Sequence, residues 1–399
     1  MAEAVLRLQP ARAKKARPFG MFGVFVAGLA LAGCQTMVPK GKPAPKPVTE
    51  QPDGPVGPGL PEDQLRHRVA LLVPMTGSNA GVGEAIANAA NLAVLDTGGK
   101  QIRMTTYDTA LGAAAAAQKA IADGNKVILG PLLAEDVRVV APIARKANVP
   151  IISFSNDASV AGDGTWLLGY NPAQSIERVV GFARTKGAAS FAGLAPNGVY
   201  GQRASNAMIR AVEAAGGRMV GMQNYDRSQK SMQAAVTRLA QTSSYDALLI
   251  ADSGGVAVQL APMVRKGGGA DARLLGTELW NTEGAIANSP VLRGAWFASV
   301  SDGLYSQLAN KYRARYGKAP YRLSSLGYDA VLLVTRVARD WKVGTAFPAR
   351  VLGDEGGFAG IDGAFRFGKD GIAQRALEVQ QVDPGKFTVV SPAPKTFGN

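Results

Sequence analysis

Short β-branched and aliphatic runs alternate with helix-length patterns along most of this chain, and the alternation occurs twice. Strands are expected over 68–73, 102–107, 126–129 and 149–154, with helices over 82–95, 110–122 and 135–146 between them. On the first helix Ile86, Ala89, Ala90 and Ala93 share one face at three- and four-residue spacing. The pattern restarts near Asn171-Pro172, with helices expected over 175–186, 231–240 and 256–266. A further helix precedes a strand ending at Tyr225, and other strands are expected over 191–194, 247–251 and 274–276. From Phe297 onward come helices over 304–316 and 324–341, then strands over 364–367, 377–382 and 387–390. Strands separated by helices pair in parallel and are buried on both faces. The expected fold is therefore α/β: two lobes, each a parallel sheet flanked by helices, joined by a hinge. Open parallel sheets bind ligands at the carboxyl ends of their strands, so two such edges form a cleft.

A different composition precedes these lobes. Arg7, Arg12, Lys14, Lys15 and Arg17 lead into an apolar run over 21–33, ending Leu31-Ala32-Gly33-Cys34. That run of 13 residues falls short of the roughly 20 that span a bilayer. A basic start, an apolar stretch and small residues form the pattern of a secretory leader. The last four residues resemble the bacterial lipobox, Leu-(Ala/Ser)-(Gly/Ala)-Cys. The resemblance implies a signal peptide over 1–33 and a diacylglycerol on Cys34, with Gln35 matching the outer-membrane-sorted class. Residues 34–65 hold Pro39, Pro43, Pro45, Pro47, Pro52, Pro55, Pro58 and Pro61, a composition that reads as an extended tether. The working domain is expected over 66–395.

The inventory of reactive side chains is thin. Cys34 is the sole cysteine and His67 the sole histidine. The domain therefore relies on core packing without disulfides. Ser-His-Asp, Cys-His and Cys/His zinc arrangements lack their parts. The glycines at Gly77, Gly81 and Gly83 follow the first strand without dinucleotide-binding spacing, and read as a tight turn and a close approach of a ligand. The net charge of +14 is scattered, with no basic stripe interleaved with aromatics. Neither nucleic acid, nor a metal, nor a cofactor is expected as a partner. The chain reads as a binding module and not as an enzyme.

Several segments resemble one family in order. Leu71-Leu72-Val73-Pro74-Met75-Thr76-Gly77, with Gly81, Gly83 and Asn91-Leu92-Ala93-Val94, is similar to the opening of type I periplasmic binding proteins of the leucine/isoleucine/valine class. Val127-Ile128-Leu129-Gly130-Pro131, Val149-Pro150-Ile151-Ile152-Ser153, Tyr200-Gly201, Leu275-Gly276-Thr277-Glu278 and Gly327-Tyr328-Asp329-Ala330 continue the match. The run Gly130-Pro131-Leu132-Leu133-Ala134 and Phe154-Ser155-Asn156-Asp157 resembles the penicillin-binding protein activator group of lipoproteins.

The resemblance implies a two-lobe fold with a discontinuous N-terminal lobe, about 66–170 plus 300–345. The second lobe would be about 171–299 plus 346–395. It also implies a ligand site. Ala134 aligns where the family supplies a Ser hydroxyl to a ligand carboxylate, and Ser155 and Asp157 align with the loop after the fourth strand. An Asp at that place would repel a carboxylate. Glu278 matches the acid that pairs with a ligand ammonium, Tyr200 matches a cleft aromatic, and Thr76 lies in the first loop. The implied ligand is small and polar or amino-acid-like. The implied protein partner is an ABC permease or, in the alternative, a peptidoglycan synthase, with the membrane reached through the lipid anchor.

Overall fold

The computed structural model describes residues 65–281, 283–394 and 397. The expected signal peptide, the acylated Cys34 and the tether up to residue 64 lie outside the described residues. Two α/β layers follow, both within the one compact unit that begins at Pro58.

The first sheet comprises β1 (His67–Val73), β2 (Ile102–Asp108), β3 (Val127–Leu129), β4 (Ile151–Ser153) and β5 (Thr165–Leu167). Its order is β2-β1-β3-β4-β5, with every pairing parallel. β1 shows why: Val69 to Val73 are all buried, as a strand covered on both faces requires. α1 (Ala80–Asp96), α2 (Ala113–Ala122) and α3 (Ala134–Lys146) connect the strands. α1 packs close because it is alanine-rich and because Gly83 sits against the end of β1. A Cβ at Gly83 would overlap the Pro74 carbonyl oxygen. At Gly83 the close neighbour is the chain's own backbone, where a ligand was expected. His67 is buried at the start of β1 and stacks on Trp341 at 3.9 Å, so the sole histidine serves packing.

The second set runs α4 (Pro172–Thr185), β6 (Ser190–Pro196), α5 (Val199–Ala214), β7 (Arg218–Tyr225), α6 (Gln229–Ala240), β8 (Ala247–Ile250), α7 (Gly254–Lys266), β9 (Arg273–Gly276), α8 (Gly284–Ala287) and β10 (Trp296–Ser299). Gly201 repeats the role of Gly83, because a Cβ there would overlap the Pro196 carbonyl oxygen. The chain then returns through α9 (Gly303–Tyr316) and α10 (Ser324–Val337). β11 (Phe358–Gly360), β12 (Gly363–Phe367) and β13 (Ala373–Arg375) form a small antiparallel sheet. β14 (Glu378–Asp383) and β15 (Lys386–Ser391) close the chain. The second main sheet has the order β15-β14-β10-β9-β8-β6-β7, antiparallel only at β14 and β15.

The expected α/β class is found, and the lobe boundary differs from the expected one. Residues 346–395 were assigned to the second lobe. Instead Phe347, Leu352, Phe358, Phe365, Phe367 and Ala373 join the core built on β1, α1, α9 and α10. Leu167 of β5 also bridges to Ile372. Only β14 and β15 go to the second sheet. Large aromatics follow the apolar face of α10, where they bury the most surface. The chain therefore crosses between lobes three times: at 168–171, at 300–302 and at 376–377.

Candidate functional site

The strand ends of both sheets converge on a cleft of about 530 Å³. From the first lobe come Asn79 and Val82 of the α1 start, Leu132 and Leu133 before α3, and Phe154 and Asn156 after β4. From the second come Glu278, Leu279 and Asn281 after β9, and Val300 after β10. Tyr170, Asn171, Arg322, Arg375 and Leu377 form its hinge side. The location is the one that parallel-sheet topology dictates.

Glu278 is the one expected site residue that lines this cleft directly. It opens a short 3₁₀ turn, Glu278–Trp280, which Thr277 caps. The Ser175 hydroxyl lies against its Oε2, and the Tyr200 hydroxyl donates to Oε1 at 3.4 Å. Burial pushes the Glu278 carboxyl above the usual carboxylate range, and these hydroxyl bonds offset part of that rise. Among the described residues no Lys or Arg shifts its titration. Tyr200 also meets Thr277 Oγ1 at 3.1 Å, so these residues form one polar patch on the second lobe.

The other expected residues serve the scaffold. Thr76 donates to Asp108 at 2.7 Å and pins the first loop to the end of β2. Ala134 is the first residue of α3 and offers no hydroxyl. Ser155 is buried, and its Oγ accepts from the Asp157 N–H at 3.1 Å. Asp157 pairs with Arg138 at 2.8 Å and with Arg203 of α5 at 2.6 Å. Burial would raise its carboxyl; Arg203 and Ser159 outweigh that and hold it below the usual range. Asp157 is thus a bridge between lobes, and its charge is spent on two arginines instead of facing a ligand.

The helix ends on the first lobe add a field. α1 has Asn79 as N-cap without a side-chain capping bond and no acid in its first turn. α3 is likewise uncapped at Leu133, but Glu135 and Asp136 stand in its first turn. The α1 end is therefore the more positive, and it faces the cleft.

A buried charge cluster lies behind the hinge wall. Arg322 Nη1 meets Asp362 at 2.7 Å and the Tyr170 hydroxyl at 3.2 Å, and Nη2 lies 3.3 Å from Asp302. Arg375 Nη1 lies 3.8 Å from Asp362 and 3.9 Å from Asp329. Arg322 also stacks on Tyr305 at 3.9 Å. Burial and the neighbouring Asp362 push Asp329 up, while Arg322 and Arg375 hold Asp362 down against its burial. Three carboxylates against two guanidiniums leave one negative charge in excess, and a proton on Asp329 removes it. Tyr170, Asp302 and Arg375 stand at or beside the three crossovers, so the cluster ties them together. Sequence reasoning missed this cluster and the asparagines; only Asn171, directly before Pro172, carries a local helix-cap pattern.

A family model described as periplasmic binding protein matches residues 67–386. The chain belongs to the periplasmic binding protein family. Its fold is of the leucine-binding, ABC substrate-binding type. A putative branched-chain amino acid ABC transporter protein from Rhodospirillum rubrum superposes with a TM-score of 0.71 at 21% identity, covering 82% of this chain and all of that one. LivJ of Streptococcus pneumoniae, solved with isoleucine, gives 0.60 at 21% identity over 82% of this chain and 100% of its own. The LpoA C-domain from Haemophilus influenzae gives 0.63 at 19% identity, covering 81% and 99%. Among curated proteins, an uncharacterized protein of Rickettsia prowazekii is 24% identical over 184 residues, 46% of this chain and 49% of that protein. The match thus spans about half the length of that relative. No helix among the described residues is long and apolar enough to cross a membrane.

The cluster yields a contrast. Asp362→Asn removes the carboxylate that two buried guanidiniums share and is expected to cost about 3–5 kcal/mol. Asp329→Asn mimics a carboxyl that already holds its proton readily, and is expected to cost about 1 kcal/mol at most. Urea unfolding of the two variants checks this; equal losses would contradict the charge assignment.

Proposed function

We propose that this chain captures a small polar, amino-acid-like ligand between its lobes, as the substrate-binding component of an ABC uptake system. The observation that carries the reading is Glu278: a carboxyl raised by burial, facing the cleft, bonded to hydroxyls and its own backbone but to no cation. A ligand ammonium supplies the charge that burial withholds. The uncapped α1 end on the opposite lobe offers backbone N–H groups to a carboxylate, in place of the hydroxyl that Ala134 lacks. Similar proteins support the ligand class, since one is named for branched-chain amino acids and another holds isoleucine.

The sign of the pH dependence follows. An ammonium binds the charged form of Glu278, so affinity is full above the raised pKa and falls as pH drops through it. In the unliganded protein the same rise favours the proton on folding. That stability is present at low pH and is lost as pH climbs through the raised pKa. Glu278→Gln is therefore expected to leave the unliganded melting temperature equal or higher. It is expected to weaken a ligand with a free α-ammonium group about 30-fold, or about 2 kcal/mol. Calorimetry and thermal melts measure the two; unchanged affinity in the variant would refute the assignment.

A second reading is favoured by the Asp157 bridge, which joins Arg138 of the first lobe to Arg203 of the second and restrains lobe motion. In it the domain is a regulator of a peptidoglycan synthase, held to the outer membrane by a lipid on Cys34 and reaching its partner through the tether. The LpoA domain of like fold is described as a regulator of PBP1A. Cys34→Ser is expected to move the protein from the membrane to the soluble fraction. Removing 35–64 is expected to abolish its effect on cell-wall synthesis, and unchanged synthesis would sink this reading.

A further inference from the structure

Four asparagines line the cleft with unspent hydrogen-bonding capacity. Asn281 is 7% exposed; its Nδ2 donates to Asp302 at 3.1 Å, and its Oδ1 is a buried acceptor without a partner. Asn171 uses its Oδ1 to cap α4, which leaves its amide N–H groups. Asn79 and Asn156 are exposed at the mouth, and neither side chain bonds to the protein. A buried acceptor left unmade costs about 1–3 kcal/mol, so Asn281 Oδ1 calls for a donor.

A primary amide both donates and accepts. So does each peptide group. A ligand with several peptide groups matches four asparagines, whereas a free aliphatic amino acid such as leucine has only its two charged ends to offer. Size agrees. A cleft of about 530 Å³ lies in the range of drug-sized ligands and exceeds what one amino acid fills. Between the amides stand Leu132, Leu133, Phe154, Leu279 and Leu377, which suit aliphatic side chains. The guanidinium nitrogens of Arg322 and Arg375 that lack hydrogen-bond partners are sealed from the cleft, and both guanidiniums face buried carboxylates.

We infer that the cleft takes a short peptide with a free amino terminus in preference to a single amino acid. The inference rests on the proposed binding role of the cleft and deepens it. The terminal ammonium goes to Glu278, the peptide groups to Asn156, Asn171 and Asn281, and the carboxylate to Asn79 and the α1 end.

Calorimetry on the purified full chain in detergent tests it with three probes: L-leucine, L-alanyl-L-leucyl-L-alanine and the Nα-acetylated form of that tripeptide. The free tripeptide is expected to bind at least about tenfold tighter than leucine, and acetylation to remove at least about tenfold. Asn156→Ala breaks no bond of the fold and is expected to weaken the tripeptide about fivefold; unchanged tripeptide affinity overturns the placement of the peptide groups. Leucine binding as tightly as the tripeptide overturns the inference and leaves the binding role standing. Equal affinity for the acetylated form overturns the placement of the amino terminus. Binding of none of the three at millimolar concentration overturns the binding role itself, and the inference with it.

Discussion

The contact on which the rest of the molecule depends is the buried pair Arg322–Asp362, with Arg375, Asp329, Asp302 and Tyr170 around it. A charge cannot be buried without a partner except at great cost. Each member is therefore held where its neighbours need it. Because Tyr170, Asp302 and Arg375 stand at or beside separate crossovers, satisfying the charges also fixes how three chain segments pass between the lobes. Arg322, Arg375 and Tyr170 are at once the hinge and the back wall of the cleft. The angle between lobes and the shape of the ligand cavity are thus set by one electrostatic requirement. Asp157, with an arginine from each lobe, adds a second tie on the side of the cleft where Asn156 opens to it.

Within that frame the cleft is polarised. The second lobe presents an acid raised by burial and bonded to hydroxyls; the first presents the uncapped end of a helix seventeen residues long, 80–96. Amides and leucines fill the space between. None of these groups needs to be reactive. In the proposed role the arrangement would discriminate by charge pattern, hydrogen-bond count and length, which is what a binding protein requires and what a chain with a single histidine buried under Trp341 can provide.

The parallel α/β alternation was legible because helix and strand periods differ and because fully buried strands read as unbroken aliphatic runs. β5, β11 and β13 are not: they are as short as β3 and β4, but Thr165-Trp166-Leu167, Phe358-Ala359-Gly360 and Ala373-Gln374-Arg375 lack the aliphatic run that marks those two. β10, Trp296–Ser299, is not legible either, because its partners β9 and β14 are set by tertiary pairing. The lobe membership of 346–376 depends on which aromatic core Phe358 and Phe365 join, and nothing local encodes that. In the candidate site, Glu278 and Tyr200 are expected through family resemblance; Glu278 lines the cleft and Tyr200 stands behind it. The two arginines that hold Asp157 come from distant helices, so its pairing is not legible in its own loop. The asparagines carry neither charge nor periodicity, so only the folded cleft brings them together.

The central claim is that a ligand ammonium binds at a Glu278 carboxyl that burial has raised. Binding then draws that pKa down and releases protons. Calorimetric titration of the tripeptide in buffers of differing ionisation enthalpy, at mildly acidic pH, counts them directly. The account predicts a net proton release that grows as pH falls toward the raised pKa and disappears in Glu278→Gln. Binding with no proton release, or release that persists in the variant, would contradict it.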